Sequence, residues 1–284
     1  MKRIFLTVVA AMFCSMAMAQ GEETTKTGVL LANEHKIVVE ARRSSMNFSE
    51  IEASRAIRVV VEERTTGNII VRAPQSVMPY VSLSVKGNTL HATLLSGVPA
   101  QRNSNVLAEI YVPYNGRLSE ITTRSAAKVI VKPTISCSEL DLEASSASFI
   151  EIKAGVKQLS IEASGASQIK AEVAADELEA ELSGASFAKL SGQVTDADVE
   201  VSGASTLRAE KLRAAKIELE CSSASKATAL GVACTTKATG ASSIVVESLS
   251  VLNASASGAS SIRYSGDCQV NILDNSGAST IRKK

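Results

Sequence analysis

Apolar residues occupy every second position in short runs through the second half of the chain, and the runs return about every 19 residues. A side-chain period of two is that of a β-strand with one buried face. A unit of two helices would need more residues than this spacing provides. The positions predicted to face inward are Leu140, Leu142, Ala144, Leu159, Ile161, Ala163, Leu178, Ala180, Leu182, Ala197, Val199, Val201, Ile217, Leu219 and Cys221 before each unit boundary, and Ile130, Ile150, Ile169, Ala188, Leu207, Ala227, Ile244, Ile262 and Ile281 after it.

A short motif, S-G-A-S or a close variant, marks each boundary between units. Glycine at its second position permits a backbone turn that most residues resist. The recurring alanine at the third position predicts a tight corner that faces inward, and the fourth-position hydroxyls are expected to run up the outside. We therefore interpret the motif as structural. Its nine copies begin at Ser125, Ser145, Ser164, Ser183, Ser202, Ser222, Thr239, Ser257 and Ser276.

Two short strands per unit, joined at a corner, cannot remain unpaired. Each unit must hydrogen-bond to the next along an axis, which predicts an all-β fold, a parallel β-helix (β-solenoid) with about 19 residues per rung. Right-handed coiling is the usual hand of parallel connections. Nine rungs at roughly 4.8 Å would make a rod of about 40 Å.

The N-terminus has the features of a secretory signal peptide. Lys2 and Arg3 precede a short apolar run, and Ala17 and Ala19 form an A-x-A cleavage site. No later stretch is long and apolar enough to span a bilayer. We expect export to the periplasm, the outer surface or the medium. The predicted organisation is a signal peptide at 1–19, an N-terminal segment at 20–40, an N-terminal β region of first coils with insertions at 41–124, and the S-G-A-S solenoid at 125–284.

The composition limits which residues can form the core and which classes of ligand are expected. Aromatic residues make up 3 % of the chain and tryptophan is absent, so the core must consist of alanine, valine, leucine and isoleucine. Without Lys2 and Arg3, 28 basic residues face 29 acidic ones, which gives no support to nucleic-acid binding. The mature cysteines have no C-x-x-C or zinc spacing. Export would permit disulfides, but small buried residues are the favoured interpretation of Cys137, Cys221, Cys234 and Cys268.

The first half of the chain carries a different pattern: "FSEIEASRAIRVVVEE" (48–63), "YVSLSVKGNTLHATL" (80–94) and "EIYVPYNGRLSEITTRSAAKVIV" (109–131). Together with the serial S-G-A-S motif, this resembles an exported Bacteroidetes family called "putative auto-transporter adhesin, head GIN domain", a domain of unknown function. The resemblance covers roughly residues 40 to 282. This chain departs from it at Arg55, where the family has glycine, and at "SAAK" (125–128). The resemblance implies a right-handed β-helix at the cell envelope and supplies no catalytic residues.

Three features could suggest an enzyme. S-x-x-K occurs at Ser125, Ser167, Ser186 and Ser223, and K-T-G begins at Lys26, but in penicillin-binding enzymes S-x-x-K begins a helix and K-T-G comes later in the chain. The two histidines, His35 and His91, are too few for a histidine-based metal site, and His91 is expected to point outward from a strand. Polysaccharide lyases and hydrolases on β-helices need an acid–base set in one cleft. We predict neither catalytic residues nor a cofactor or metal.

Charged residues alternate with the inward apolar ones. Like charges one rung apart repel, so they are either the solvated faces of a rod, which also oppose aggregation, or an acidic strip that binds cations such as Ca²⁺ or a basic partner. A partial basic column lies six residues after each motif start, at Lys170, Lys189, Arg208, Arg263 and Arg282. The candidate binding face comprises Asp141, Glu143, Glu162, Glu179, Glu181, Asp198, Glu200, Glu218 and Glu220.

Three hypotheses follow for function. The first is an exported, non-enzymatic β-solenoid whose repetitive surface serves binding or adhesion at the envelope, with a glycan or an envelope protein as partner. The alternative is a carbohydrate-active β-helix enzyme, a lyase or hydrolase. The second alternative is a structural protein that assembles end to end as a homo-oligomer, since an uncapped last rung leaves an open edge.

Overall fold

The computed structural model describes residues 24–32, 35–43, 47–64, 67–98 and 107–284. The predicted signal peptide lies outside the described residues. Apart from a short 3₁₀ helix at Met78–Tyr80, the regular structure is β-sheet. The strands are β1 (Thr24–Ala32), β2 (His35–Arg43), β3 (Glu50–Ser54), β4 (Ile57–Glu62), β5 (Asn68–Pro74), β6 (Val81–Lys86), β7 (Thr89–Leu94), β8 (Ala108–Pro113), β9 (Glu120–Arg124), β10 (Lys128–Ala144), β11 (Phe149–Ala163), β12 (Gln168–Leu182), β13 (Phe187–Val201), β14 (Thr206–Cys221), β15 (Lys226–Ala238), β16 (Ser243–Ala256), β17 (Ser261–Ser265), β18 (Gln269–Asn275) and β19 (Thr280–Lys283).

Strands β10 to β16 are the regular rungs, and each pairs in parallel with the next. The predicted parallel solenoid of about 19 residues per rung is confirmed. Two predicted short strands form one continuous strand, which bends where two successive residues are exposed, as at Lys157 and Gln158 in β11. We call the part before the bend the post-corner half and the part leading to the next motif the pre-corner half. Side-chain alternation changes phase at the bend, so both halves turn apolar residues inward.

The first coils are stacked in a different order from their order in the chain. β3 lies between β7 and β9, and β4 lies between β8 and β10, all in parallel pairing. The unit β3–β4 is therefore placed between two rungs that follow it in sequence. β6 and β5 pair antiparallel with β7 and β8 and cover that end of the coil.

The two ends of the coil differ. At the C-terminal end, β18 and β19 pair in parallel with β16 and β17, and the side chains of Ile272 and Leu273 are 56 % and 69 % exposed. Antiparallel strands cover the other end. A head-to-tail stack of coils would bring unlike strand directions together, so the ends are not complementary by simple continuation of the helix.

The core is thin and aliphatic, as its composition predicts. Each regular rung contributes alternate alanine, valine, leucine and isoleucine side chains to one continuous interior cluster. All fifteen pre-corner positions predicted to face inward are buried. Of the post-corner positions, Ile130 and Ile281 are only half-buried.

The corner differs from the prediction in which residue faces inward. The third-position alanines, such as Ala166 and Ala185, are exposed in the S-G-A-S corners, while the fourth-position serines are buried at every corner except the last, where Ser279 is half-buried. Alternation explains this, because Ser148 lies two residues before the inward Ile150. Several buried hydroxyls bond along the coil: Ser242 donates to the carbonyl of Cys221 at 3.1 Å, and Ser148 and Ser260 make similar bonds. The bond is not made at every corner, since the buried hydroxyl of Ser167 has no hydrogen-bond partner among the described residues.

The second corner position is left-handed even where it is not glycine. Its φ is 72° at Gly184, 54° at Ser146 and 61° at Ser223. The following N–H binds the rung below, since Ala204 N donates to Gly184 O at 2.7 Å. The corner therefore continues the ladder of hydrogen bonds around the turn.

The first predicted corner, "SAAK", is displaced by one residue. Lys128 pairs with Phe149 and Val129 pairs with Ile150, so the corner comprises residues 124–127 and the buried fourth position is Ala127. Val129 faces inward in place of the predicted Ile130. The displacement was hidden because alanine replaces the buried serine at this corner.

Candidate functional site

The outer surface of the pre-corner halves of β10 to β14 is strongly acidic, and we call it the acidic face. Because each rung pairs in register with the next, residues two, four and six before the motif form three columns. Neighbours in a column are one strand spacing apart, about 4.8 Å. Besides one lysine, Lys216, the acidic face carries twelve carboxylates: Glu139, Asp141, Glu143, Glu162, Glu177, Glu179, Glu181, Asp196, Asp198, Glu200, Glu218 and Glu220.

All nine predicted candidate residues lie on this face, with seven exposed and Glu143 and Glu220 half-buried. The longest column is an unbroken ladder, in which the pairs Glu143–Glu162 and Glu162–Glu181 are followed by Glu200 and Glu220. The prediction missed Glu139, Glu177 and Asp196. Extending the same alternation by one more step, to six residues before the motif, would have found them.

A shallow groove of about 540 Å³ runs across the rungs beside the bend. Its floor is formed by the strands at Leu159, Leu178 and Ala197, whose side chains face the interior. The columns on either side form its walls, so carboxylates such as Glu177 and Glu179 flank the same strip of the sheet. The groove is open along its length, and it can accept an extended chain better than a small enclosed ligand.

Basic residues neutralise the two ends of the five-glutamate ladder. Arg124 lies 3.1 Å from the carboxylate of Glu143, and Lys237 lies 3.0 Å from that of Glu220. Within the described part of the chain, the three glutamates between them, Glu162, Glu181 and Glu200, have no cation within 4 Å. Like charges side by side on a sheet destabilise it. The middle of the ladder therefore gains most from a cationic partner.

The opposite sheet, formed by the post-corner halves, carries the predicted basic column. Lys170, Lys189 and Arg208 are neighbours on β12, β13 and β14. Thr228 and Val245 then interrupt the column before Arg263 and Arg282 resume it: Arg208 pairs with Thr228, Val245 with Arg263, and Arg263 with Arg282. The two sheets of one coil thus present opposite charges to solvent.

Two of the four S-x-x-K motifs place their serine and lysine on opposite sides of the strand. Ser167 and Ser186 are buried inside the coil, whereas Lys170 and Lys189 are exposed on its outer surface. A nucleophile and its base must lie within hydrogen-bond reach. K-T-G lies in β1, far along the chain from these corners.

The histidine and cysteine positions point to structural roles. His91 is partly exposed and its Nδ1 lies 2.9 Å from the Glu52 carboxylate across β7 and β3, which confirms its outward direction. The four cysteines of the described residues, Cys137, Cys221, Cys234 and Cys268, are free thiols. Burial raises the pKa of the Cys221 thiol to about 11 and also raises that of Cys234, which makes both poor nucleophiles.

The described residues contain neither a metal-binding cluster nor a membrane-spanning helix. In the described ranges, no group of three or more His, Cys, Asp or Glu side chains is placed to hold a metal ion. Across those ranges, no helix has the length and apolar character needed to cross a bilayer.

A known protein family matches this chain. The family described as "Putative auto-transporter adhesin, head GIN domain" matches residues 47–233, which is more than half of the chain. Among curated proteins the chain has no match. The matched range includes the first coils and the acidic face.

Solved structures share the fold at low identity. A putative adhesin from Parabacteroides merdae is 18 % identical, with 89 % of this chain and 97 % of that chain covered and a TM-score of 0.68. A protein from Parabacteroides distasonis, described as a putative lipid binding protein, is 17 % identical, with 89 % and 98 % covered and a TM-score of 0.66. A putative adhesin from Bacteroides fragilis is 17 % identical, with 87 % and 97 % covered and a TM-score of 0.54. At this identity the likeness shows the fold alone.

Proposed function

Since the chain belongs to the family of putative auto-transporter adhesin head GIN domains, we propose that it is an exported, non-enzymatic adhesion module of the cell envelope that binds a basic partner through the acidic face. One observation carries the proposal: twelve carboxylates stand in register on one rigid sheet face, and cations compensate mainly the ends of the longest ladder. The partner is a basic region of an envelope protein or a cationic glycan.

The mechanism is the sum of many weak contacts. A single exposed ion pair contributes about 0–1 kcal/mol, so affinity must come from several carboxylates engaged together. The sheet holds them at fixed spacing, which lowers the ordering cost of binding. Such binding weakens steeply with salt, because the Debye length falls from about 30 Å at 0.01 M to about 3 Å at 1 M.

Geometry favours a macromolecular partner over a bound metal ion. Ca²⁺ takes six to eight oxygen ligands around it. A flat face offers an ion ligands from one side, and Glu162, Glu181 and Glu200 stand in a straight column. An extended basic chain can instead place one cation beside each rung.

The same geometry gives the enzyme alternative no support. Acid–base catalysis by paired carboxylates depends on a cleft that holds the sugar between them. The carboxylates of the acidic face, such as Asp198 and Glu200, are exposed along an open groove. Their side chains point the same way from one sheet.

The binding experiment compares the mature chain with two triple variants on surfaces coated with polylysine, polyglutamate or neutral polysaccharide. The face variant is Glu162→Gln, Glu181→Gln and Glu200→Gln. The matched control removes three carboxylates from the other sheet, by Glu151→Gln, Glu172→Gln and Glu210→Gln. We expect salt-sensitive binding to polylysine that the face variant loses by roughly tenfold or more, as expected for losing about 1.4 kcal/mol, and that the control retains.

Equal losses of polylysine binding in both variants would mean that binding depends on net charge alone. That result would contradict a specific binding face. A parallel assay measures release of reducing ends from envelope polysaccharides by the mature chain. Release above the level of buffer would overturn the non-enzymatic assignment.

A further inference from the structure

The outer surface of the post-corner halves of β10 to β14 is basic, and we call it the basic face. It carries three acidic residues, Glu151, Glu172 and Glu210, against eight basic ones. Two of the basic residues are already paired: Lys132 lies 2.7 Å from Glu62, and Lys153 lies 2.9 Å from Glu172. The basic residues are Lys128, Lys132, Lys153, Lys170, Lys189, Arg208, Lys211 and Arg213.

The centre of the basic face is a stack of three cations. Lys170 pairs with Lys189, and Lys189 with Arg208, on successive rungs. In the described part of the chain, none of the three has a carboxylate within 4 Å, although the charge of Glu210 acts on Lys189 and Arg208 from the side. The stack is therefore a like-charge ladder of the kind that destabilises a sheet.

Two phenylalanines accompany this stack on the outside of the sheet. Lys170 lies over the ring of Phe149 at 5.1 Å from its centre, and Arg208 lies over that of Phe187 at 5.5 Å. Cation–π contacts of this kind hold the charged ends close to the sheet. The half-buried rings also give the face apolar area that a partner would cover.

We propose that the basic face of one copy docks on the acidic face of a second copy, so that coils associate side by side. This inference rests on the proposed function of the acidic face and names one partner for it. Both faces carry like-charge ladders that are unfavourable alone. Each supplies the charge that the other lacks, and both belong to the same chain.

The charged residues of the two faces repeat at the same distance along the coil axis. Every rung contributes one half to the basic face and one half to the acidic face, so both repeat at the strand spacing of about 4.8 Å. Two coils with parallel axes can therefore align Lys170, Lys189 and Arg208 with three successive glutamates of the ladder. The contact joins unlike surfaces, so it leaves a free face at each end of the pair and can continue into a lateral stack.

The contact area of the two faces limits how strongly two copies associate. Five rungs span roughly 24 Å and a half-rung of seven residues roughly 23 Å. Their product, about 550 Å², is below the roughly 800 Å² per partner of a standard stable interface. We expect weak association that depends on protein concentration and on salt.

The experiment is sedimentation velocity of the mature chain over a concentration series, at about 0.01 M and about 1 M ionic strength. The basic-reversed variant is Lys170→Glu, Lys189→Glu and Arg208→Glu. The acid-reversed variant is Glu162→Lys, Glu181→Lys and Glu200→Lys. We expect association of the unmodified chain at low salt alone, monomers for each variant by itself, and restored association when the two variants are mixed.

The matched control reverses three exposed cations outside both faces, by Lys86→Glu, Arg117→Glu and Lys157→Glu. It changes net charge by the same amount and is expected to associate like the unmodified chain. Circular dichroism checks that each variant is folded, and association in the mixture shows directly that both folds are intact.

Several outcomes would overturn the proposal. The unmodified chain could remain monomeric at low salt and high concentration, the control could lose association as fully as the basic-reversed variant, or the mixed variants could stay monomeric. Binding of a soluble polyanionic polysaccharide by the monomeric chain, lost in the basic-reversed variant, would assign the basic face to that partner instead. Polylysine binding by a chain that never self-associates would leave the proposed function standing.

Discussion

The two halves of each rung repeat with different strictness. From β10 to β15 the pre-corner halves pair without a register shift, whereas the post-corner halves and bends contain shifts at three of the five pairings. The unit lengths vary because residues are added or removed there. The strict half carries the complete acidic columns, and the irregular half carries an interrupted basic one. A continuous charge ladder thus requires a half-rung that tolerates no change in length.

Inserting one residue tests this comparison with the largest expected change in the free energy of unfolding. One alanine inserted between Glu218 and Leu219 reverses the alternation of a pre-corner half and turns charged side chains inward. We expect the free energy of unfolding to fall by more than about 4 kcal/mol. The same insertion between Ala229 and Leu230 falls where β14 already has three extra residues, and we expect a loss below about 1 kcal/mol.

Urea unfolding followed by circular dichroism measures both variants. Similar losses in the free energy of unfolding at the two sites would show that both halves tolerate an insertion equally, which would contradict the difference between them.

The next effect is a loss of stability at alkaline pH. We expect it to depend on a buried thiol in a pre-corner half and not on a thiol in a post-corner half. Cys221 is buried in a pre-corner half, and burial raises its pKa from 9.0 to about 11. As pH rises, the unfolded chain loses this proton first. Stability is therefore full below about pH 9 and falls between about pH 9 and pH 11, by at most about 3 kcal/mol.

Melting curves across this pH range compare the unmodified chain with Cys221→Ala and Cys137→Ala. Cys137 is only half-buried, and its pKa is raised by burial and by Asp141. We expect Cys221→Ala to flatten the alkaline loss and Cys137→Ala to change it little; the reverse order would contradict the assignment.

The smallest effect concerns the corner, which holds the two halves in phase. A Cβ at Gly203 would lie 2.4 Å from Gly184 O, and φ there is +69°. Gly203→Ala is expected to cost about 2 kcal/mol, since a left-handed residue and a close contact both oppose it. Ser223 occupies the same corner position with φ 61°.

The reverse substitution, Ser223→Gly, is the matched control and is expected to stabilise the coil by up to about 1 kcal/mol. Thermal unfolding measures both. A neutral Gly203→Ala would mean that the corners shift freely along the axis.

Alternation and spacing were sufficient to predict the solenoid, its rung length, the inward pre-corner residues and two of the three acidic columns. They failed at the corner. Which corner residue turns inward depends on the backbone turn, and the buried Ser148 and exposed Ala147 reversed the expectation. They also failed at Lys128, where a substituted serine concealed the register.

The sequence by itself determined what local chemistry dictates: a period of about 19 residues, and charged side chains that alternate with apolar ones. Only the tertiary structure decided that β3–β4 lies between later rungs, and that the acidic and basic columns lie on opposite sheets of one coil. The physical reason is that alternation fixes the direction of a side chain relative to its own strand. The bend and the pairing partners fix where that strand lies.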